Sequence, residues 1–236
     1  RAACALLLVA LPLVWSACDT LPSSDGDCTG ALFGRPNAKS GLDDSQCRPT
    51  CGCGAEAWTA PELTAAQIEA LTTWKLLDTL LPPAADPYQG KPPTAAPDGQ
   101  VCGVKIDGAA RSYHLETFPS AADAVQSGAI VTHYDACGLC STLTDLAVYA
   151  RETDLTTPVR QCGIETAQSG FDANVICLQK LGFTNSCAQI WAYNTINTRK
   201  QCLATCLALL DAPYHDANGA LNDCLKCDEE KSGPVF

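Results

Sequence analysis

Sixteen cysteines in 236 residues constrain this chain more than any other feature. They run from Cys4 to Cys227 instead of gathering in one knuckle. That number is far above what a reducing compartment keeps as buried thiols, so the sequence points to an oxidising compartment and to disulfides as its main cross-links. The length allows one sizeable domain, or a small module joined to a larger one, so burial of apolar side chains adds to whatever the disulfides contribute.

The N-terminus agrees with export. Arg1 is followed by "AACALLLVALPLVW", shorter than the roughly 20 apolar residues a membrane span needs, and the run ends at the small residues Ser16 and Ala17. Residues 1–17 read as a secretory signal peptide. No methionine occurs, so the given chain is expected to be truncated at that end, and the sequence leaves open whether it continues past Phe236. The stretch "VWSACDT" resembles the bacterial lipoprotein signal, with Trp15 where that motif prefers Leu or Val. The resemblance implies a lipid on Cys18 and attachment to a membrane surface without a membrane span. Parity points the same way: losing Cys4 with the signal leaves fifteen cysteines, and lipidating Cys18 leaves fourteen, which can all pair.

The net charge of −11 is spread along the chain and no segment forms a basic footprint. Nucleic-acid binding needs clustered Lys and Arg to neutralise phosphates, so that class is excluded. The acidity instead suits a soluble extracytoplasmic surface.

Residues 18–81 form a Cys/Gly/Pro-rich N-terminal segment whose first part has no sustained period and is expected to be loop-rich, held by Cys28, Cys47, Cys51 and Cys53. Its one amphipathic helix is expected in "LTAAQIEALTTWKLLDTLL", where Thr64 and Gln67 have capping-box spacing and Ile68, Leu71, Trp74 and Leu77 recur three apart. This helix, Trp included, resembles the terminal helix of small haem-carrying modules, yet no CxxCH exists to attach a c-type haem, and no cofactor is expected. Residues 82–100 are rich in proline and read as an extended linker. Residues 101–236 read as a disulfide-rich α+β domain. A hairpin turns at Asp107 and Gly108, a short helix spans 119–126, and the strand "AIVTHY" leads into "DACGLCS".

From Cys137 onward the pattern is helical. Thr142 and Asp145 have capping-box spacing, Pro158 suits a first helical turn, and Gly182 suits the residue after a helix end. Residues 186–213 supply one long or two short helices, and a last short helix begins near Leu221. Asp216, Asn218 and Gly219 imitate the middle of an EF-hand loop, but Leu225 stands where a bidentate Glu is required, so the stretch reads as a turn. His114 and His133 fall in or at the end of strands and read as structural residues, and Trp191 reads as core.

The chemical question is the role of "CGLC". The domain holds Cys102, Cys137, Cys140, Cys162, Cys177, Cys187, Cys202, Cys206, Cys224 and Cys227, an even set, all disulfide candidates. Cys202 and Cys206 share one helix face, so each is placed to meet a facing helix, while Cys177 and Cys187 flank Gly182 and could clamp it. A strand, then CxxC, then a helix start resembles the thioredoxin site, which implies a redox pair of Cys137 and Cys140 with Cys137 favoured as thiolate. Thr157 and Pro158 follow too soon to supply that family's cis-proline. A four-sulfur zinc site would use Cys137, Cys140, Cys224 and Cys227, across a gap of 83 residues that far exceeds a compact knuckle.

"CGLCS" also resembles the CGxC segment of papain-like proteases, which implies Cys140 as nucleophile. No upstream Gln fits, Ser141 replaces the aromatic, and His215 is the only downstream histidine. CxxC at the start and end of the helical region resembles the head-and-tail stapling of saposin-like domains, which implies Cys137 or Cys140 bonded to Cys224 or Cys227, and lipid contact.

The sequence therefore describes an α+β protein, with a small antiparallel sheet and a predominantly helical, disulfide-stapled C-terminal domain. Its expected role is that of a secreted or lipid-anchored cell-envelope protein that binds a protein or lipid partner or serves a structural purpose. No catalytic or metal site is identified. The alternatives are a thiol–disulfide oxidoreductase using Cys137 and Cys140, and a saposin-like lipid-contacting domain.

Overall fold

The computed structural model describes residues 50–53, 56–59, 63–90, 97, 99–152, 154–214 and 220–236. The signal segment, Cys18, Cys28, Cys47 and the turn at 216–219 lie outside the described residues.

The architecture is α+β. Where the sequence suggested loops, strands β1 (Thr50–Cys53) and β2 (Glu56–Thr59) form an antiparallel pair with Cys51 opposite Trp58. Helix α1 (Ala65–Leu71) begins with the expected capping box: Gln67 N–H donates to Thr64 Oγ1 at 3.3 Å and Thr64 N–H donates to Gln67 Oε1 at 2.8 Å. It ends earlier than its periodicity predicts. The hydroxyls of Thr72 and Thr73 donate back to the carbonyls of Glu69 and Ala70 at 2.8 and 2.7 Å, using acceptors of the last turn. The chain then extends into β3 (Lys75–Leu76). Trp74 and Leu77 thus leave the helix: Trp74 lies under the Arg111 guanidinium at 5.7 Å, and Leu77 is exposed.

A four-stranded sheet has the order β3, β5 (Ser112–Phe118), β4 (Val101–Asp107), β6 (Ile130–Tyr134). Three strands are antiparallel, and β3 joins the edge in parallel through Leu76 opposite Tyr113. The β4–β5 turn falls where Asp107 predicts it, because its carboxylate accepts from the N–H groups of Ala109 and Ala110, both at 3.0 Å. Gly103 has a packing reason: a Cβ there would come within 2.9 Å of the Phe118 ring and 3.3 Å of Ala129 Cβ. Helix α2 (Ala121–Gln126), capped by Ser120, returns the chain to β6.

The strands alternate between two apolar layers, as their period of two dictates. Val101, Phe118 and Val131 pack with Ala121 and Ala124 of α2. Val104 and Tyr113 on the other face meet Leu71 of α1 and Leu143, Leu146 and Ala147 of α3 (Leu143–Arg151). Beyond α3 lies a helical layer of α4 (Thr156–Glu165), α5 (Phe171–Lys180), α6 (Asn185–Leu207) and α7 (Asp223–Lys231). A third cluster there gathers Val148, Val159, Leu178, Phe183 and Ala188. Gly182 closes α5 at φ +110°, the left-handed conformation expected of it. Residues 186–213, read as one or two helices, supply the single 23-residue α6.

Leu80 and the described part of the proline-rich stretch lie against this layer. Ser186 Oγ donates to the Leu80 carbonyl at 3.0 Å, and Tyr88 OH donates to the Ser232 carbonyl at 2.9 Å, just past α7. Asp86 caps a 3₁₀ turn over Pro87–Gln89 that puts Tyr88 in position.

Candidate functional site

Every sulfur the sequence nominated for chemistry in the C-terminal domain is bonded to a partner distant in the chain. Cys137 pairs with Cys102 of β4, and Cys140 pairs with Cys187 in the first turn of α6, each with Cα atoms 4.6 Å apart. Cys162 pairs with Cys177 between α4 and α5, Cys202 with Cys227, and Cys206 with Cys224 between α6 and α7.

Several expectations are corrected by this connectivity. Cys137 and Cys140 do not bond each other, so they form no dithiol redox pair. Cys140 carries no free thiol to act as a papain-like nucleophile. Cys137, Cys140, Cys224 and Cys227 belong to four different disulfides, so they cannot form the zinc site, and no other metal-ligating cluster exists among the described residues. The head-to-tail bonds of the saposin-like resemblance are absent. Cys177 and Cys187 do not clamp Gly182, because Cys177 faces α4 and Cys187 faces the CGLC loop. Cys202 and Cys206 each reach a facing helix, as one-turn spacing requires.

The CGLC loop is therefore a junction, tied by one cysteine to the sheet and by the next to the helical layer. Side chains around it fix its path. Cys137 N–H donates to Thr117 Oγ1 at 3.0 Å, and Gly138 N–H donates to Ser141 Oγ at 2.8 Å. His133 lies at the end of β6 with Nδ1 2.6 Å from the Tyr134 carbonyl, a contact that requires the proton on Nδ1. Its Nε2 is left to accept from the Ser141 hydroxyl at 2.8 Å. Burial holds the His133 pKa below its ordinary value and keeps the ring neutral, outweighing the Tyr134 carbonyl and the nearby Asp135.

The sequence reading missed this Ser–His pair, because only the return of the chain through Gly138 brings residues 133 and 141 together. Its geometry is that of a base beside a hydroxyl, but Ser141 is only 2 % exposed and its oxygen also accepts from Gly138. A nucleophile must reach its substrate; this hydroxyl locks a turn.

One step further, Thr142 Oγ1 caps α3 by accepting from Asp145 N–H at 3.0 Å. The Asp145 carboxylate is fully buried and accepts three hydrogen bonds: from the Thr142 hydroxyl at 2.6 Å, and from Thr184 N–H at 2.7 Å and its hydroxyl at 2.9 Å. Burial raises its pKa, opposed by those same threonine bonds. Thr184 is the N-cap of α6 and accepts from Cys187 N–H at 3.4 Å. A continuous chain of contacts thus runs from the α3 cap through Asp145 and Thr184 to Cys187, and through its disulfide back to the CGLC loop.

Fold and site together define a disulfide-stapled α+β protein whose conspicuous cysteine motif is a cross-link. Residues 171–236, covering α5 to α7, match the model of a family of unknown function, DUF8771. Comparisons with curated proteins and with solved structures find no match. No described helix is long and apolar enough to cross a membrane, and the five disulfides among the described residues suit an extracytoplasmic environment.

Proposed function

We propose that this chain is a cell-envelope protein, exported through residues 1–17 and held at a membrane surface by a lipid on Cys18, with a binding or structural role toward a protein or lipid partner. The observation that carries the noncatalytic part is the bonding of Cys137 and Cys140 to separate, distant elements, which leaves neither sulfur as a free thiol or as half of a CxxC redox pair. The anchor rests on the lipoprotein-like stretch "VWSACDT" and on cysteine parity. The test is metabolic labelling of the full-length protein in a bacterial host with an alkyne fatty acid. Labelling that disappears in C18S, with the protein moving from the membrane to the soluble fraction, supports the anchor. Unlabelled wild type, or label retained in C18S, rejects it.

A second reading, direct contact with lipid, is favoured by one observation. Leu203, Leu207 and Leu210 follow one another at helical spacing along the end of α6 and just beyond it, 48 %, 56 % and 43 % exposed. Flotation of lipid-free protein with liposomes, lost in L203S/L207S, supports contact. Absence of flotation rejects it.

A further inference from the structure

The five disulfides of the described residues share a plan in which each joins one buried cysteine to one partly exposed cysteine, so access alone does not distinguish them. The surroundings of the buried partner do. Cys102 and Cys187 are fully enclosed, and Cys162 and Cys187 belong to the apolar cluster of the helical layer. Cys187 also starts a helix whose N-cap, Thr184, is bonded to the Asp145 carboxylate, an arrangement that works against a second negative charge. Cys224 is different: its Sγ accepts from the Arg160 guanidinium at 3.8 Å. That guanidinium is held over the Tyr214 ring at 4.9 Å, and the Tyr214 hydroxyl meets Thr157 Oγ1 at 2.6 Å. Asp228 shares its field, yet among the described disulfides only this one has a cation donating a hydrogen bond to a sulfur.

Thiol–disulfide exchange is fastest where the departing sulfur is stabilised as a thiolate, and a neighbouring guanidinium supplies that stabilisation. We propose that Cys206–Cys224 is the exchangeable disulfide of this protein and that Cys206 is a site of thiolation by a low-molecular-weight thiol. The thiolate sulfur of the incoming molecule attacks Cys206 Sγ, the partly exposed end. The Cys206–Cys224 bond breaks, and its electron pair leaves on Cys224 Sγ beside Arg160. A second thiolate then attacks the mixed disulfide and releases Cys206 as a thiolate with the symmetrical disulfide of the small thiol. Two small thiols are oxidised, one protein disulfide takes up two electrons, and the two protons lost by the thiols return to Cys206 and Cys224. Cys202–Cys227 lies one turn deeper along α6 and keeps α6 and α7 joined while the outer turn opens.

The test treats the oxidised full chain with graded reduced glutathione, quenches with an alkylating agent and maps the labelled peptides by mass. Glutathione appears first on Cys206, with alkylation on Cys224. R160Q slows this opening by about threefold relative to the other disulfides, and R160K restores part of the rate. The proposal is overturned if another disulfide opens first, if glutathione resides on Cys224, or if all five open together. Those readings on the wild-type protein stand even if R160Q does not fold.

Discussion

Replacing Asp145 tests the physical link between the two helical caps. Its carboxylate takes three donors and is wholly buried. D145L keeps the branched shape in a somewhat larger side chain and removes every acceptor, leaving the Thr184 N–H without its partner. At about 1.5 kcal/mol for each of the three bonds to an acidic group, the loss is about 4.5 kcal/mol. D145N differs in kind. Its carbonyl still serves Thr184 N–H, and its amide can donate to the Thr142 and Thr184 hydroxyls, which rotate to accept, so the cost is about 1 kcal/mol. The assay is guanidinium unfolding under oxidising conditions, reading the midpoint shift at constant slope. A double-mutant cycle of D145L with T184V should show a coupling of about 1 kcal/mol, since both changes remove the bond from the Thr184 hydroxyl to Asp145. Equal effects of D145L and D145N, both below 1 kcal/mol, with no coupling to Thr184, would refute the role given to this carboxylate.

Removing single disulfides should rank with loop length. C140A/C187A opens a separation of 47 residues and should cost about 4 kcal/mol, against about 3 kcal/mol for C162A/C177A with a separation of 15, both read from unfolding midpoints. His133 supplies a pH signature. Its folded pKa is depressed by burial, so the unfolded chain binds its proton first. Its stabilising contribution is therefore complete above the ordinary 6.5 and is lost as pH falls below it. H133Q should have a flatter stability profile between pH 7 and 5, and an unchanged slope would show that His133 is not buried as described.

Local chemistry made much of this fold legible in the sequence. The Thr64 and Thr142 caps, the Asp107 turn and the Gly182 helix end each depend on groups within a few residues, and each forms where the spacing puts it. The end of α1 was less legible because the Ile68-to-Leu77 period outlasts the helix: threonine hydroxyls take the last carbonyls, and pairing with β5 draws Lys75 and Leu76 into the sheet. Tertiary partners were illegible for the same reason. Nothing near Asp145 announces Thr184, nothing near His133 announces Ser141, and ten cysteines in one domain admit many pairings of which the packing of α3 to α7 selects one. The CGLC motif misled because two cysteines adjacent in the chain face different layers, so the short spacing that suggested a functional pair belongs to a loop bonded in two directions.

The most direct measurement is the disulfide map of the unreduced protein, by proteolysis and mass spectrometry with alkylation of any free thiols. The connectivity described here predicts peptides joining Cys102 to Cys137 and Cys140 to Cys187. A peptide closed by a Cys137–Cys140 bond, or free thiols at both positions, would contradict the staple and return the motif to redox chemistry.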